Sequence, residues 1–158
     1  MSGSEKKILD DIDSKIIELL SENANMTATE ISGKVGLSVP AANKRINKLL
    51  DCGIIEKYTI ILDADKIGKP MMAFISVILD RLSYMDGLMK YVKSERDVLE
   101  CFAVAGDYDY IIKIRAKNML DLENKIIRIK EIKGVAKTNT TIVLYTYKNI
   151  SSVLPDLP

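Results

Sequence analysis

Residues 27–53 read TATEISGKVGLSVPAANKRINKLLDCG, and this stretch decides the fold of the first third of the chain. Thr27 followed by Glu30 forms a capping box, in which each side chain satisfies a free backbone N–H at the start of a helix. Ser38 followed by Pro40 marks a second helix start, because serine caps helices and proline loses no hydrogen bond in the first turn. A glycine ends the apolar stripe of each helix. The stretch therefore predicts two short helices joined by a tight turn.

Apolar spacing supports both helices and adds one before them. The preceding helix begins with acidic residues, which favour its first turn, and its buried positions are Ile12, Ile16, Leu19 and Leu20. The last helix has the same spacing at Ala42, Ile46, Leu49 and Leu50. Each set lies on one helix face. A short helix, a turn of about four residues and a second helix make a helix-turn-helix.

The outward face of the last helix is polar and basic. The segment 38–50 carries three basic side chains and no acidic one. Asparagine pairs with adenine through two hydrogen bonds, and Arg or Lys reaches guanine or phosphate. We therefore predict a DNA-contacting set of Ser38, Pro40, Asn43, Lys44, Arg45, Asn47 and Lys48. The alternative is a structural three-helix bundle with a solvated basic face, and periodicity alone does not separate the two.

The rest of the chain alternates strand and helix patterns. Residues 54–62 are rich in β-branched side chains and predict a strand, and residues 63–70 break it. Further strands are predicted near 71–80, 98–105, 110–116 and 135–147, with helices starting at Ser83 and Asn118. The order β-α-β-β-α-β predicts a ferredoxin-like α+β sandwich with both helices on one sheet face. The other face keeps many apolar residues, so we expect a second copy of the chain to cover it.

Composition narrows the chemistry. The 158 residues contain 23 basic and 22 acidic side chains and no His. The two distant cysteines are Cys52 and Cys101, which we expect to be reduced and buried thiols, with a single disulfide between them as the alternative. Without His, the commonest general base and most zinc and iron sites are missing, and no Gly-rich phosphate loop occurs. We therefore expect no cofactor, no metal and no enzyme activity. No apolar run approaches the ~20 residues of a membrane span, and residues 1–6 are unlike a signal peptide, so we expect a cytoplasmic protein without membrane contact.

Two sets of residues resemble the Lrp/AsnC (leucine-responsive, feast/famine) family of transcription regulators. The first set is LDDIDSKII at 9–17, GLS at 36–38, Arg45, Ile46, Leu49 and GII at 53–55. The second set is GDYDY at 106–110 and KGV at 133–135, followed by Thr138 and Thr140. Together they cover about residues 8–147 in the order and spacing of the family.

The resemblance implies a winged helix-turn-helix, a hinge strand, and a C-terminal domain that dimerises and senses small molecules. The predicted segments are the winged helix-turn-helix at 1–57, a hinge strand and linker at 58–70, the ferredoxin-like sensing and oligomerisation domain at 71–148, and a tail at 149–158. The resemblance also implies that dimers assemble further to tetramers or octamers, and that amino acids bind where two dimers meet.

The implied effector residues are Gly106, Asp107, Tyr108, Asp109, Thr138 and Thr140. Turn N–H groups can hold a carboxylate, and an aspartate can pair with an ammonium group. The alternative role of Asp107 and Asp109 is simple turn formation.

We therefore predict a homodimeric, sequence-specific regulator that binds double-stranded DNA and whose assembly or DNA affinity responds to an amino acid. One alternative is a sirohaem decarboxylase-type enzyme of similar two-domain build, which the absence of His disfavours. Another is an amino-acid sensor that does not bind DNA, which the basic segment 38–50 disfavours.

Overall fold

The computed structural model describes residues 9–150 and 152–156. The first eight residues of the predicted 1–57 segment, and three residues of the predicted tail, lie outside this part of the chain. The described residues divide into two compact units: one contains those up to Ile61 together with those from Lys148 onward, and the other contains Leu62–Tyr147. Within the described ranges, no helix is long and apolar enough to cross a membrane.

The first unit contains the three helices that the sequence predicts. They are α1 (Asp11–Glu22), α2 (Ala28–Val35) and α3 (Val39–Asp51). Their facing sides bury Ile16, Leu19, Leu20, Ile31, Ala42 and Leu49. The buried residues recur at the helical spacing of one face on each helix, so burial of this stripe holds the bundle together.

Both predicted helix starts are confirmed. The Thr27 hydroxyl accepts a hydrogen bond from the Glu30 N–H, and the Glu30 carboxylate accepts one from the Thr27 N–H at 2.7 Å. Ser38 caps α3 by accepting from the Ala41 N–H at 3.4 Å, and Pro40 lies in the first turn. These caps fix where α3 begins and hence which of its side chains point outward.

The second unit is a four-stranded antiparallel sheet with two helices. Its elements are β1 (Met71–Leu79), a 3-10 turn (Leu82–Tyr84), α4 (Met85–Ser94), β2 (Val98–Ala103), β3 (Tyr110–Ala116), α5 (Met119–Lys130) and β4 (Val135–Ile142). The spatial order is β2-β3-β1-β4. This order, with the chain order β-α-β-β-α-β, is the ferredoxin-like sandwich predicted above.

One face of this sheet forms the core of the unit. Alternate residues of β1 and β3, among them Ile75, Val77 and Ile112, are buried together with Leu88 of α4 and Leu122 of α5. Both helices therefore cover the same face. The opposite face carries Met72, Phe74, Ile78, Phe102 and Ile111, which are half-buried or exposed in the single chain.

Buried ion pairs hold the segment before β1 onto this unit. The ammonium of Lys125, on α5, lies 2.9 Å from the Asp97 carboxylate and 3.3 Å from that of Glu95. Lys69 pairs with the other Asp97 oxygen. Breaking a buried pair leaves an uncompensated charge. The cluster therefore fastens the residues just before β1 to α5.

The predicted strand at 54–62, which includes the start of the predicted hinge strand, is wrong for the single chain. No strand occurs between α3 and β1, and Ile60 and Ile61 are 79% and 70% exposed. A strand requires hydrogen bonds to a neighbouring strand, and β propensity supplies none. The helix predicted to start at Ser83 begins instead at Met85, after the 3-10 turn.

Cys52 and Cys101 are free thiols. Cys52, predicted to be buried, is exposed because it lies just past the end of α3, and Cys101 is half-buried.

Gly134 marks a close approach of backbone to an aromatic ring. Its φ is +89°, and a Cβ built there would lie 2.2 Å from Cγ of Tyr84. Only glycine meets both conditions. This contact sets the start of β4, the strand that carries Thr138 and Thr140.

Candidate nucleic-acid interface and effector site

The outward face of α3 carries most of the predicted DNA-contacting set. Its exposed members are Ser38, Pro40, Asn43, Lys44, Asn47 and Lys48. All but Ser38 line one open depression, together with Asp10, Ala41, Arg45, Asp51 and Cys52. The structure thus brings the predicted residues together on one surface, while Ala42 and Leu49 on the other side of the helix are buried.

Two pairs of identical side chains, one of lysines and one of asparagines, lie along this face. Lys44 and Lys48 are four residues apart, as are Asn43 and Asn47, and this spacing places each pair on neighbouring turns. Neither lysine forms an ion pair with any other described residue. The surface therefore offers two unpaired ammonium groups beside two amides.

Arg45 differs from its neighbours on α3. Its Nη1 donates to Asp10 Oδ2 at 2.6 Å and to Asp13 Oδ1 at 2.7 Å. The Asp13 side chain is only 4% exposed, whereas the Arg45 side chain is 30% exposed. Arg45 therefore links α3 to the beginning of α1.

Asp10 and Asp13 also stabilise the start of α1. Asp10 accepts a hydrogen bond from the Asp13 N–H at 2.8 Å, and Asp13 accepts a longer one of 3.4 Å in return. The Asp13 N–H, and secondly the Arg45 guanidinium, hold the pKa of Asp10 below its ordinary value. The sequence pattern assigns these two acids to the first helical turn and to the family motif, but it does not pair them with Arg45. Two acids three residues apart at the start of one helix, and an arginine on a second helix expected to pack against it, are the available sequence signal for this contact.

The predicted effector turn lies between β2 and β3. Gly106 and Asp107 are exposed, and Tyr108 and Asp109 are half-buried. The Asp109 carboxylate accepts a hydrogen bond from the Leu79 N–H at 2.8 Å, and its own N–H donates to the Val77 carbonyl at 3.0 Å. Asp109 therefore ties the turn to the end of β1.

The tip of this turn has unused polar groups. Over the described residues, Asp107 forms no hydrogen bond or ion pair, and the N–H groups of Gly106, Asp107 and Tyr108 donate to no protein acceptor. Successive exposed N–H groups attract anions, and an exposed carboxylate attracts cations. The tip thus presents backbone N–H donors that can hold a carboxylate, beside a carboxylate that can pair with an ammonium group.

Thr138 and Thr140 are not adjacent to the turn in the same chain. Thr138 pairs with Val77 and Thr140 with Ile75, both on the helix-covered side of the sheet. Val77 also pairs with Tyr110, so Thr138 is two strands away from the end of the turn, a separation of about 10 Å. The six predicted effector residues therefore form two groups within one chain.

Comparison with known proteins defines the class of protein. A family described as "Winged helix-turn-helix DNA-binding" matches residues 9–56, and one described as "Lrp/AsnC ligand binding domain" matches residues 72–153. The protein is thus a transcription regulator in which a winged helix-turn-helix precedes a ligand-binding domain. It belongs to the Lrp/AsnC family.

Curated relatives support this placement. The chain is 36% identical over 146 residues to the HTH-type transcriptional regulator FL11 of Pyrococcus furiosus, covering 92% of this chain and 96% of that protein. It is 33% identical over 153 residues to the transcriptional regulator AzlB of Bacillus subtilis, covering 92% and 95%.

Solved structures show the same two-domain fold. The regulator NMB0573 of Neisseria meningitidis, crystallised with L-Met, is 28% identical with a TM-score of 0.88, covering 92% of this chain and 96% of that one. AsnC of E. coli is 27% identical with a TM-score of 0.86, covering 94% and 99%.

Proposed function

We propose that this regulator binds duplex DNA through the outward face of α3 and changes that binding in response to an amino acid. The observation that carries the proposal is the pair of exposed, unpaired lysines beside two asparagines on the second helix of the helix-turn-helix. The relatives from Pyrococcus furiosus and Bacillus subtilis belong to organisms whose chromosome lies in the cytoplasm, which supports action in that compartment.

The side chains of α3 divide into those suited to contact phosphates and those suited to contact bases. Lys44 and Lys48 bind phosphates and supply affinity, and Asn43 and Asn47 read base edges. Ser38 and Pro40 lie at the end of α3 where helices of this kind contact bases. Arg45 belongs to the same predicted set, but α1 engages its guanidinium.

The uncovered sheet face supports a homodimer. Phe102 is 49% exposed, and Met72, Phe74, Ile78 and Ile111 lie on the same face. A second copy of the chain buries this apolar surface and lowers its exposure to water. Two copies then present their α3 helices to successive major grooves, about 34–36 Å apart. Such dimers assemble further into tetramers or octamers.

The effector site is the turn at 106–109. The N–H groups of Gly106, Asp107 and Tyr108 hold the carboxylate of an amino acid, and Asp107 pairs with its ammonium. Thr138 and Thr140 reach the ligand from another chain, since they lie away from the turn in their own. The solved neighbour with bound L-Met supports an amino acid as the ligand class.

The effector acts by binding two assembly states with different affinity, because a ligand with equal affinity for both shifts nothing. The test uses the full chain and a duplex that the unaltered protein recovers from a random pool. We expect at least one of the twenty amino acids to change its DNA dissociation constant, and Asp107→Asn to remove that change without affecting DNA binding itself. Recovery of no duplex would contradict DNA binding, and an unaltered response in Asp107→Asn would contradict the effector site.

A further inference from the structure

We propose that Arg45 is a positioning residue of the DNA-binding surface: it fixes α3 on α1 through Asp10 and Asp13 and does not itself bind phosphate. The inference rests on the proposed function, since it assigns roles within the same surface. Of the three cations of α3, Arg45 then has a structural role, whereas the two lysines contact DNA.

The first support is geometric. A single guanidinium nitrogen bonds both carboxylates, at 2.6 Å and 2.7 Å, across 35 and 32 positions of the chain. Charge-assisted hydrogen bonds of this length are among the stronger ones in proteins. Arg45 is therefore directed toward α1, whereas Lys44 and Lys48 are exposed without an ion-pair partner in the described part of the chain.

The second support is that the two carboxylates are held in place independently of Arg45. Asp10 and Asp13 form a reciprocal capping box at the start of α1. Their own helix therefore orients them, and Arg45 meets a prearranged pair of acceptors. Prearranged partners lose little conformational freedom when the contact forms.

The third support is the cost of release. The Asp13 carboxylate is almost fully buried. If Arg45 turned away to bind a phosphate, Asp13 would remain as a buried charge with one partner fewer, which is strongly unfavourable. Lys44 and Lys48 reach a phosphate without breaking any such contact.

The two roles predict different salt dependence. Each lysine or arginine that neutralises a phosphate adds about 0.9 to the slope of log affinity against log salt concentration. Lys44→Ala and Lys48→Ala should each reduce this slope by about one. Arg45→Met should lower affinity while leaving the slope unchanged, because no phosphate contact is lost.

The decisive variant is Asp10→Asn/Asp13→Asn. Asparagine remains a good helix cap, so this change removes the two charges and keeps the start of α1. If Arg45 positions α3, the loss of the two charges to which it is bonded loosens α3 and weakens DNA binding. If Arg45 is a phosphate ligand, freeing it strengthens binding. Asp51→Asn is the charge control: Asp51 lines the same depression, and its neutralisation reports the gain from removing one acid near DNA. The double variant removes two acids, so an affinity below that of Asp51→Asn is opposite to the electrostatic expectation.

The experiment measures duplex binding by the full chain across a salt series, with thermal unfolding of every variant. We expect Asp10→Asn/Asp13→Asn and Arg45→Met each to bind duplex at least about fivefold more weakly than Asp51→Asn. The variant that combines all three changes, Asp10→Asn/Asp13→Asn/Arg45→Met, should bind no more weakly than Arg45→Met, because residues in one contact network have non-additive effects. Arg45→Lys should recover part of the affinity, and the neutral variant Arg45→Gln replaces Arg45→Met if that variant does not fold.

Two results overturn the inference. One is affinity of the Asp10→Asn/Asp13→Asn variant equal to or above that of Asp51→Asn. The other is a fall in slope for Arg45→Met equal to that for Lys44→Ala. Either result leaves DNA binding by α3 intact, whereas failure of the unaltered protein to bind any duplex overturns the proposed function as well.

Discussion

The outward face of α3 and the turn at 106–109 share one arrangement of charged residues, although one region is a helix and the other a turn. In each region, one charged residue of the family pattern is engaged by the fold, and its neighbour is exposed without a partner among the described residues. On α3 these are Arg45 and Lys44, and in the turn they are Asp109 and Asp107. In both regions, the charged residue that the fold engages is therefore not the one most available to a ligand.

The two regions differ in what a ligand would contact. A helix of 13 residues holds several side chains at fixed spacing, so recognition by α3 depends on side chains. A four-residue turn presents mainly backbone N–H groups, whose direction depends on the bond from Leu79 to Asp109. Loss of a single engaged side chain should therefore disturb the turn more than it disturbs the helix.

The largest expected effect is on DNA affinity. Replacing both Lys44 and Lys48 with Ala should weaken binding roughly 10- to 100-fold at physiological salt and reduce the salt slope by about two, because two phosphate contacts are lost. The melting temperature should not change, since exposed side chains contribute little to stability.

The matched control for this change is Lys90→Ala/Lys93→Ala, which removes two exposed cations from α4. Equal loss of affinity in the two double variants would show that binding follows total charge rather than the α3 surface.

The next effect concerns stability of the second unit. Asp109→Ala leaves the Leu79 N–H without its acceptor, and an unsatisfied buried donor costs about 1–3 kcal/mol. Asp107→Ala, two residues away, should change the free energy of unfolding by less than about 0.5 kcal/mol. Urea unfolding of the full chain, followed by a probe in the sheet, measures both. A similar loss of unfolding free energy in the two variants would contradict the different roles given to Asp109, which is bonded within the fold, and Asp107, which is not.

The smallest expected effect is a change in the pKa of Asp10. The Asp13 N–H first, and Arg45 second, lower the pKa of Asp10. A lowered carboxylate pKa stabilises the fold above the unfolded value of about 3.9, and the contribution is lost as pH falls through the folded value. Arg45→Met should therefore raise the pKa of Asp10 in the folded protein, so that its contribution to stability becomes smaller and is fully lost at a higher pH. An NMR titration of the Asp10 carboxyl carbon measures this, and an unmoved pKa would mean that Arg45 is not held there in solution.

Local signals predicted much of the fold. The capping box at Thr27, the cap at Ser38 and the strand at 110–116 depend on neighbours in sequence, and all three are confirmed. The ferredoxin-like sandwich followed from the alternation of elements, because few topologies fit a β-α-β-β-α-β chain.

Non-local contacts set the limit of prediction. The strand at 54–62 failed because a strand needs a partner that the single chain lacks. The engagement of Arg45 by residues more than 30 positions away, and of Asp109 by Leu79, are also long-range contacts. Spacing along one element predicts which side chains share a face, but it does not show which of them another element engages.

A footprint of the unaltered protein on its selected duplex tests the central claim most directly. The account predicts two protected stretches about 10–10.5 base pairs apart, centre to centre, or a multiple of that distance. It also predicts that Lys44→Ala/Lys48→Ala, at the same protein concentration, leaves the duplex unprotected while remaining folded. An identical footprint from the double variant would contradict binding through α3.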